Sequence, residues 1–320
     1  MFVYIILLIV GFILLIKGAD IFVDGASSLA ENFKVPKMII ALTIVAFGTS
    51  APELAVSIKA ILSNNSDIVL GNVVGSNILN ILLILGVSSL FRSMSVKDNT
   101  VNKEIPITIL ISTLLMVLCF DNLFDKTAIN MISRTDGITI ILFFTIFIYY
   151  LFSSIKENKE KNKDDSKPKY NLLISFILLL LGLAGIVFGS NFVVDNASNI
   201  AKVIGVSDKM IALTIVALGT SLPELVTSIM AARKGENDIA IGNVIGSNIF
   251  NIGMVIGIPS AFIGTISAIS FNYIDMLVMV CSAILLFILT FKNRKIGKVQ
   301  GIIMLLLFLV YYSYVILGGK

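Results

Sequence analysis

The stretch GTSAPEL at 48–54 returns as GTSLPEL at 219–225, each time inside a long apolar segment. Both copies place a carboxylate directly after a proline, Glu53 after Pro52 and Glu224 after Pro223. An ionisable group at membrane depth is costly, so a repeated one marks a functional site. The proline sharpens the point. Pro52 has no N–H, so the carbonyl of Gly48 loses its helical donor, and Gly48 itself loosens the same turn. Free backbone oxygens in an apolar segment persist only where protein, water or an ion satisfies them.

Shifting the chain by 171 residues aligns 39–80 with 210–251, and 26 of these 42 positions are identical. IALTIVA recurs at 40–46 and 211–217, and GNVVGSNILN at 71–80 becomes GNVIGSNIFN at 242–251. Weaker matches reach back to Gly18 with Gly189 and Asp24 with Asp195.

Composition names the solvent. Of 320 residues, 57% are hydrophobic and 14% charged, with a net charge of +4. An ordinary soluble domain carries about 25% charged residues, so this chain belongs in a bilayer. Apolar stretches near the length needed to cross it, roughly 17–25 residues, fall at about 2–24, 37–61, 68–91, 104–121, 136–155, 171–194, 208–232, 239–263, 271–291 and 299–317. The expected fold is an all-α polytopic membrane protein of ten transmembrane helices. Residues 1–155 form a first five-helix repeat, 156–170 a solvated linker and 171–320 the second repeat. Five is odd, so the second copy enters the membrane inverted, an architecture of secondary transporters. Seventeen Lys and Arg fall on the linker face and six on the other. The positive-inside rule therefore makes the linker cytoplasmic and both termini external. The N-terminus lacks a basic leader and cleavage site, so it reads as a retained span. With no histidine and two cysteines, a zinc enzyme, a His-based triad and a disulfide framework are all unexpected. The small net charge gives no reason to expect nucleic acid.

Helical spacing sorts the motif residues. Ala46, Thr49, Ser50, Glu53 and Ser57 share one face, and Ala217, Thr220, Ser221, Glu224 and Ser228 repeat it. Asn72, Ser76 and Asn80 line one face of the next span, with Asn243, Ser247 and Asn251 as counterparts. Gly71, Gly75, Gly242 and Gly246 are expected to admit a close neighbour. Asn77 and Asn248 point about 100° off the stripe and suit interhelical hydrogen bonding. Asp67 and Asp238 read as N-caps. Asp20, Asp24 and Asp195 read as interfacial, Thr43 and Thr214 as bonding back to their own helices, and Lys17 as snorkelling or pairing with Asp20. Together the four stripes offer an all-oxygen donor set, which suits Ca²⁺, with about 6–8 oxygen ligands, and Na⁺. Two ionised glutamates would balance one Ca²⁺.

These paired motifs resemble the two alpha-repeats of the cation/calcium exchanger superfamily, most of all its compact prokaryotic sodium/calcium exchangers and their potassium-dependent relatives. The resemblance covers nearly the whole chain. It implies antiport of Na⁺ against Ca²⁺ by alternating access in a prokaryotic cell membrane, with spans 1 and 6 sliding or rocking against the other eight. It places metal ligands on Glu53, Glu224, Asn80, Thr49, Ser50, Thr220, Ser221, Ser76 and Ser247, with the carbonyls of Ala46 and Ala217 at flanking Na⁺ sites. Several family members carry aspartate where this chain has Asn251. It implies no cofactor and no obligate protein partner. A Ca²⁺/H⁺ or K⁺-dependent exchanger and an ion channel are the alternative readings.

Overall fold

The computed structural model describes residues 1–63, 66–123, 126, 129–161, 168–206, 215, 217–269 and 271–317. Among these, eight helices are long and apolar enough to cross a membrane. They are α1 (Phe2–Phe33), α4 (Ile68–Phe91), α5 (Thr100–Cys119), α6 (Arg134–Lys161), α7 (Leu172–Val203), α9 (Asn237–Phe262), α10 (Tyr273–Phe291) and α11 (Lys298–Ile316). A bent pair, α2 (Lys37–Thr49) and α3 (Ala51–Leu62), meeting at 44°, is together long and apolar enough to make a ninth. Of the expected span 208–232, the first half lies mostly outside the described residues, and the rest is α8 (Leu222–Lys234).

Large apolar side chains face outward along α1, α6, α7 and α11, for instance Ile13, Ile146, Leu181 and Val310. The polar side chains of the repeated motifs are buried instead. That inside-out distribution is what a hydrocarbon solvent selects. In α9 nearly every residue is buried, which makes it the axis of the molecule.

The two longest helices form a pair of their own. A Cβ at Gly18 would stand 2.7 Å from the backbone nitrogen of Ile186, and one at Gly182 would stand 2.5 Å from that of Phe22. Only glycine permits backbones this close, the way small residues bind membrane helices together. Gly11, Gly25 and Gly189 extend the seam.

Polar connections gather on two faces. β1 (Met94–Ser95) pairs with β4 (Lys295–Ile296), and β2 (Met131–Ile132) pairs with β3 (Ile266–Ser267), both antiparallel. On the β1·β4 face the lysine- and arginine-rich connections meet carboxylates. Lys234 Nζ lies 2.9 Å from Asp20 and 2.6 Å from Asp24, while Lys169 Nζ reaches Asp24 at 2.7 Å. Asp24 holds the Lys169 ammonium above the usual lysine range. Lys37 bridges Glu31 and Glu236 at 3.0 and 2.9 Å, and Arg294 meets Asp98 at 2.8 Å. Lys234→Ala leaves two carboxylates on α1 without their shared cation. A loss of about 1–2 kcal/mol is expected, read as a lower thermal midpoint whose deficit shrinks in high salt.

Several expectations are corrected here. Asp20 pairs with Lys234 rather than Lys17, which is exposed. Asp238 caps nothing: Glu236 occupies the N-cap position, and Asp238 in the first turn binds Lys97 at 2.5 Å. The stretch Lys156–Lys161 is not loop but the end of α6, because Lys and Glu are strong helix formers and need no bilayer to stay helical. Thr43 does bond back, to the Ile39 carbonyl at 2.6 Å. Thr214 lies outside the described residues, as does the side chain of Asp67. Cys119 and Cys281 are both free thiols.

Candidate functional site: a buried cage of oxygens

The proline motif shapes the backbone before it supplies ligands. Ser50 sits between α2 and α3 at φ −85°, ψ 3°, and Ser221 precedes α8 at φ −89°, ψ 4°. This sparsely populated bridge region recurs at active-site residues. Pro52 and Pro223 occupy the first turn of the following helix, where a missing N–H costs no hydrogen bond. Glu53 and Glu224 fall in those same first turns, near the positive ends of the helix dipoles. The Gly219 carbonyl, at the end of the turn before the break, accepts from Ser190 Oγ at 3.0 Å. The Ala46 carbonyl accepts from Ser50 N at 3.0 Å and Thr49 Oγ1 at 3.3 Å. Ala217 opens a three-residue helical turn, Ala217–Gly219.

Around the two carboxylates the repeats interlock. Glu53 is fully buried and Glu224 is 1% exposed, and they lie close enough to interact electrostatically. Glu224 Oε1 accepts from Ser50 Oγ at 3.1 Å and from Ser247 Oγ at 3.3 Å. Glu53 Oε1 accepts from Ser76 Oγ at 3.4 Å, and Ser221 Oγ donates to Ser76 Oγ at 3.1 Å. Ser50 of the first repeat thus bonds the glutamate of the second directly, whereas Ser221 of the second reaches Glu53 only through Ser76. Thr49 donates to Asn243 Oδ1 at 3.0 Å, and the half-buried Thr220 stands beside Glu53.

Asparagines hold the frame. Asn72 Nδ2 donates to the Glu53 carbonyl and to Ser57 Oγ, both at 3.2 Å. Asn243 repeats this on the Glu224 carbonyl at 3.4 Å and Ser228 Oγ at 2.9 Å. Asn77 and Asn248 make interhelical hydrogen bonds, as their off-stripe spacing suggests. At Asn80 and at Asn251 the helices pass into π-helical segments, Asn80–Leu85 and Asn251–Ile256, a distortion that recurs at functional sites.

Among the buried side-chain oxygens without a hydrogen-bond partner, four belong to the ligand positions of the repeated motifs: Glu53 Oε2, Glu224 Oε2, Asn80 Oδ1 and Asn251 Oδ1. Two come from each repeat. A buried acceptor left unsatisfied costs about 1–3 kcal/mol, more when charged, so four orphans from matched positions call for a cation. Among the described residues no cluster of three or more His, Cys, Asp or Glu could hold a metal ion. Among the described residues, the acidic side chains of the cage are the two glutamates.

The glycines differ between repeats. A Cβ at Gly242 would stand 2.5 Å from that of Ala41, and one at Gly246 would stand 2.6 Å from that of Ala46, so both admit α2 as expected. Gly71 and Gly75 meet no described atom within 4 Å. Their partners by repeat would fall at about 209–217, nearly all outside the described residues. Sequence reasoning overlooked a third buried carboxylate, Glu104 on α5, which accepts from the Tyr150 hydroxyl on α6. Its signal was an acid at the mouth of an apolar segment, KEIPITI.

The sodium/calcium exchanger protein family matches residues 3–153 and 174–317. Among curated relatives, a putative antiporter, CaxA of Alkalimonas amylolytica, is 38% identical over 97% of this chain and 98% of its own. The sodium/calcium exchanger MaX1 of Methanosarcina acetivorans is 32% identical over 95% and 96%. Among solved structures, the sodium-calcium exchanger NCX_Mj superposes with a TM-score of 0.83 at 35% identity, covering 99% of each chain. Sequence, fold and the paired motifs agree: the chain belongs to the sodium/calcium exchanger family.

Proposed function

We propose that this protein is a secondary antiporter that exchanges Na⁺ for Ca²⁺ by alternating access, through the cage between α3, α4, α8 and α9. The observation that carries this reading is the set of four donorless oxygens, two carboxylate and two amide, buried at matched positions of the two repeats. The exchanger names of the relatives support it. Glu53 and Glu224 supply the charge that a divalent cation requires. Asn80, Asn251, Ser50, Ser76, Ser221, Ser247, Thr49 and Thr220 supply neutral oxygens, and the carbonyls of Ala46 and Ala217 flank the centre for Na⁺. Ca²⁺ and Na⁺ compete for the same carboxylates, so each must leave before the other enters, and that exclusion couples the fluxes.

The architecture that goes with this function is ten membrane helices in two inverted five-helix repeats, 1–155 and 171–320, joined by 156–170. The β1·β4 face and its basic connections lie in the cytoplasm, and both termini lie outside a prokaryotic cell membrane. Transport needs no cofactor and no protein partner. Reconstituted vesicles test the reading, with Na⁺, K⁺ and pH gradients imposed one at a time. An outward Na⁺ gradient is expected to drive ⁴⁵Ca²⁺ uptake. Uptake driven by a pH gradient alone would replace Na⁺ with H⁺ as the coupling ion, and uptake needing no counter-ion would make the protein a channel.

A further inference from the structure

Four asparagines form a closed set of hydrogen bonds beside the cage. Asn77 Nδ2 donates to the Asn248 backbone carbonyl at 3.1 Å, and Asn248 Nδ2 donates to the Asn77 carbonyl at 3.3 Å. Their amide ends are thereby committed across the repeat boundary. Their side-chain oxygens then accept from the ligand asparagines: Asn80 Nδ2 to Asn248 Oδ1 at 2.9 Å, and Asn251 Nδ2 to Asn77 Oδ1 at 3.0 Å. All four residues are at most 1% exposed.

An asparagine amide has a donor end and an acceptor end, and fixing one fixes the other. With its NH₂ held by Asn77 or Asn248, each ligand asparagine leaves Oδ1 as its free end, and both of those oxygens lack a donor. We propose that Asn77 and Asn248 are positioning residues, which orient Asn251 and Asn80 so that an oxygen rather than an NH₂ group faces the transported cation. The inference rests on the cation-cage reading above. A flipped amide would remove one ligand and turn a positive dipole end toward the ion. The arrangement also gives Asn251 a specific partner. A carboxylate has an acceptor at both ends and needs no orienting, whereas at position 251 beside Asn77 it would set acceptor against acceptor.

The test uses the full-length exchanger in vesicles, with Na⁺-driven ⁴⁵Ca²⁺ uptake as the readout and Glu53→Gln assayed in parallel. Asn77→Leu removes the acceptor at similar volume. It is expected to raise the Ca²⁺ concentration for half-maximal uptake by about 10–100-fold, the usual cost of losing an orienting partner. Adding Asn251→Asp should bring it back to within about threefold of wild type, because either carboxylate oxygen can face the ion. Packing lost at Asn77 would not be repaired by a change at 251. Asn248→Leu with Asn80→Asp forms the mirror test. Should the leucine variants fail to fold, Asn77→Asp keeps the acceptor for Asn251 while giving up the donor to the Asn248 carbonyl, so its thermal midpoint should fall while its half-maximal concentration should not rise. The inference is overturned if Asn77→Leu transports Ca²⁺ with unchanged half-saturation, if Asn251→Asp fails to restore it, or if Asn77→Asp raises it about tenfold or more. If Glu53→Gln keeps full uptake, the cage reading itself has failed, whatever the asparagine variants do.

Discussion

Glu53→Gln and Glu224→Gln are each expected to abolish measurable Ca²⁺ exchange while leaving a folded protein. Glutamine matches the shape of glutamate, and it can still accept from Ser76, or from Ser50 and Ser247, through its oxygen. What disappears is charge. The donorless Oε2 of each glutamate is replaced by an NH₂, or is kept only by turning the NH₂ onto the serines. Removing one partner of a buried charge pair costs about 3–5 kcal/mol, which corresponds to about two to three and a half decades in affinity. Na⁺ carries half the charge, so its binding should fall less than that of Ca²⁺. Titration calorimetry on detergent-purified variants, alongside ⁴⁵Ca²⁺ uptake, reads both effects. Exchange within about threefold of wild type in either variant, less than 1 kcal/mol, would remove the glutamates from the transport site.

Gly182→Leu should be the most damaging substitution far from the cage. The Cβ alone would lie 2.5 Å from Phe22 N and 2.6 Å from Phe22 Cα, and neither backbone atom can rotate away. Overpacking by even a methylene costs about 1–3 kcal/mol, and leucine adds a whole branched chain beyond that first atom. The helices α1 and α7 must separate along a seam where Gly11, Gly18, Gly25 and Gly189 hold them together. Loss of the monodisperse peak after brief heating, in detergent size-exclusion chromatography, is the expected result. Gly182→Ala should lower the midpoint less. A Gly182→Leu protein that melts with wild type would show that the two backbones are not in contact.

Legibility in the sequence followed repetition and spacing. The cage could be read because GTS-PEL and GN-V-GSNI-N occur twice and because helical periodicity sorts Ser76 and Asn80 onto one face. The break at Pro52 could be read as well. Its position two residues earlier, at Ser50, follows from proline fitting the first turn of a new helix. What could not be read joins distant parts of the chain. Nothing local tells Asn77 that its acceptor is Asn248, or Asp20 that its cation is Lys234 rather than Lys17. The Glu104–Tyr150 bond likewise needs two helices to be docked first. The π-helical turns at Asn80 and Asn251 escape a reading built on a period of 3.6.

The crossed hydrogen bonds also set an order of events during synthesis. Ser50 finds Glu224 across 174 positions, and Asn77 finds Asn248 across 171. At about 5–20 residues per second, the first half waits in the bilayer on the order of ten to thirty seconds before its partners exist. Through that interval Glu53, Asn77 and Asn80 lack the second-half groups they meet in the finished protein. They must keep water or a chaperoning surface, and they dehydrate only when the second half docks. The cage is therefore among the last parts of the protein to form, and a nascent chain arrested before residue 224 lacks the second-repeat half of its oxygens.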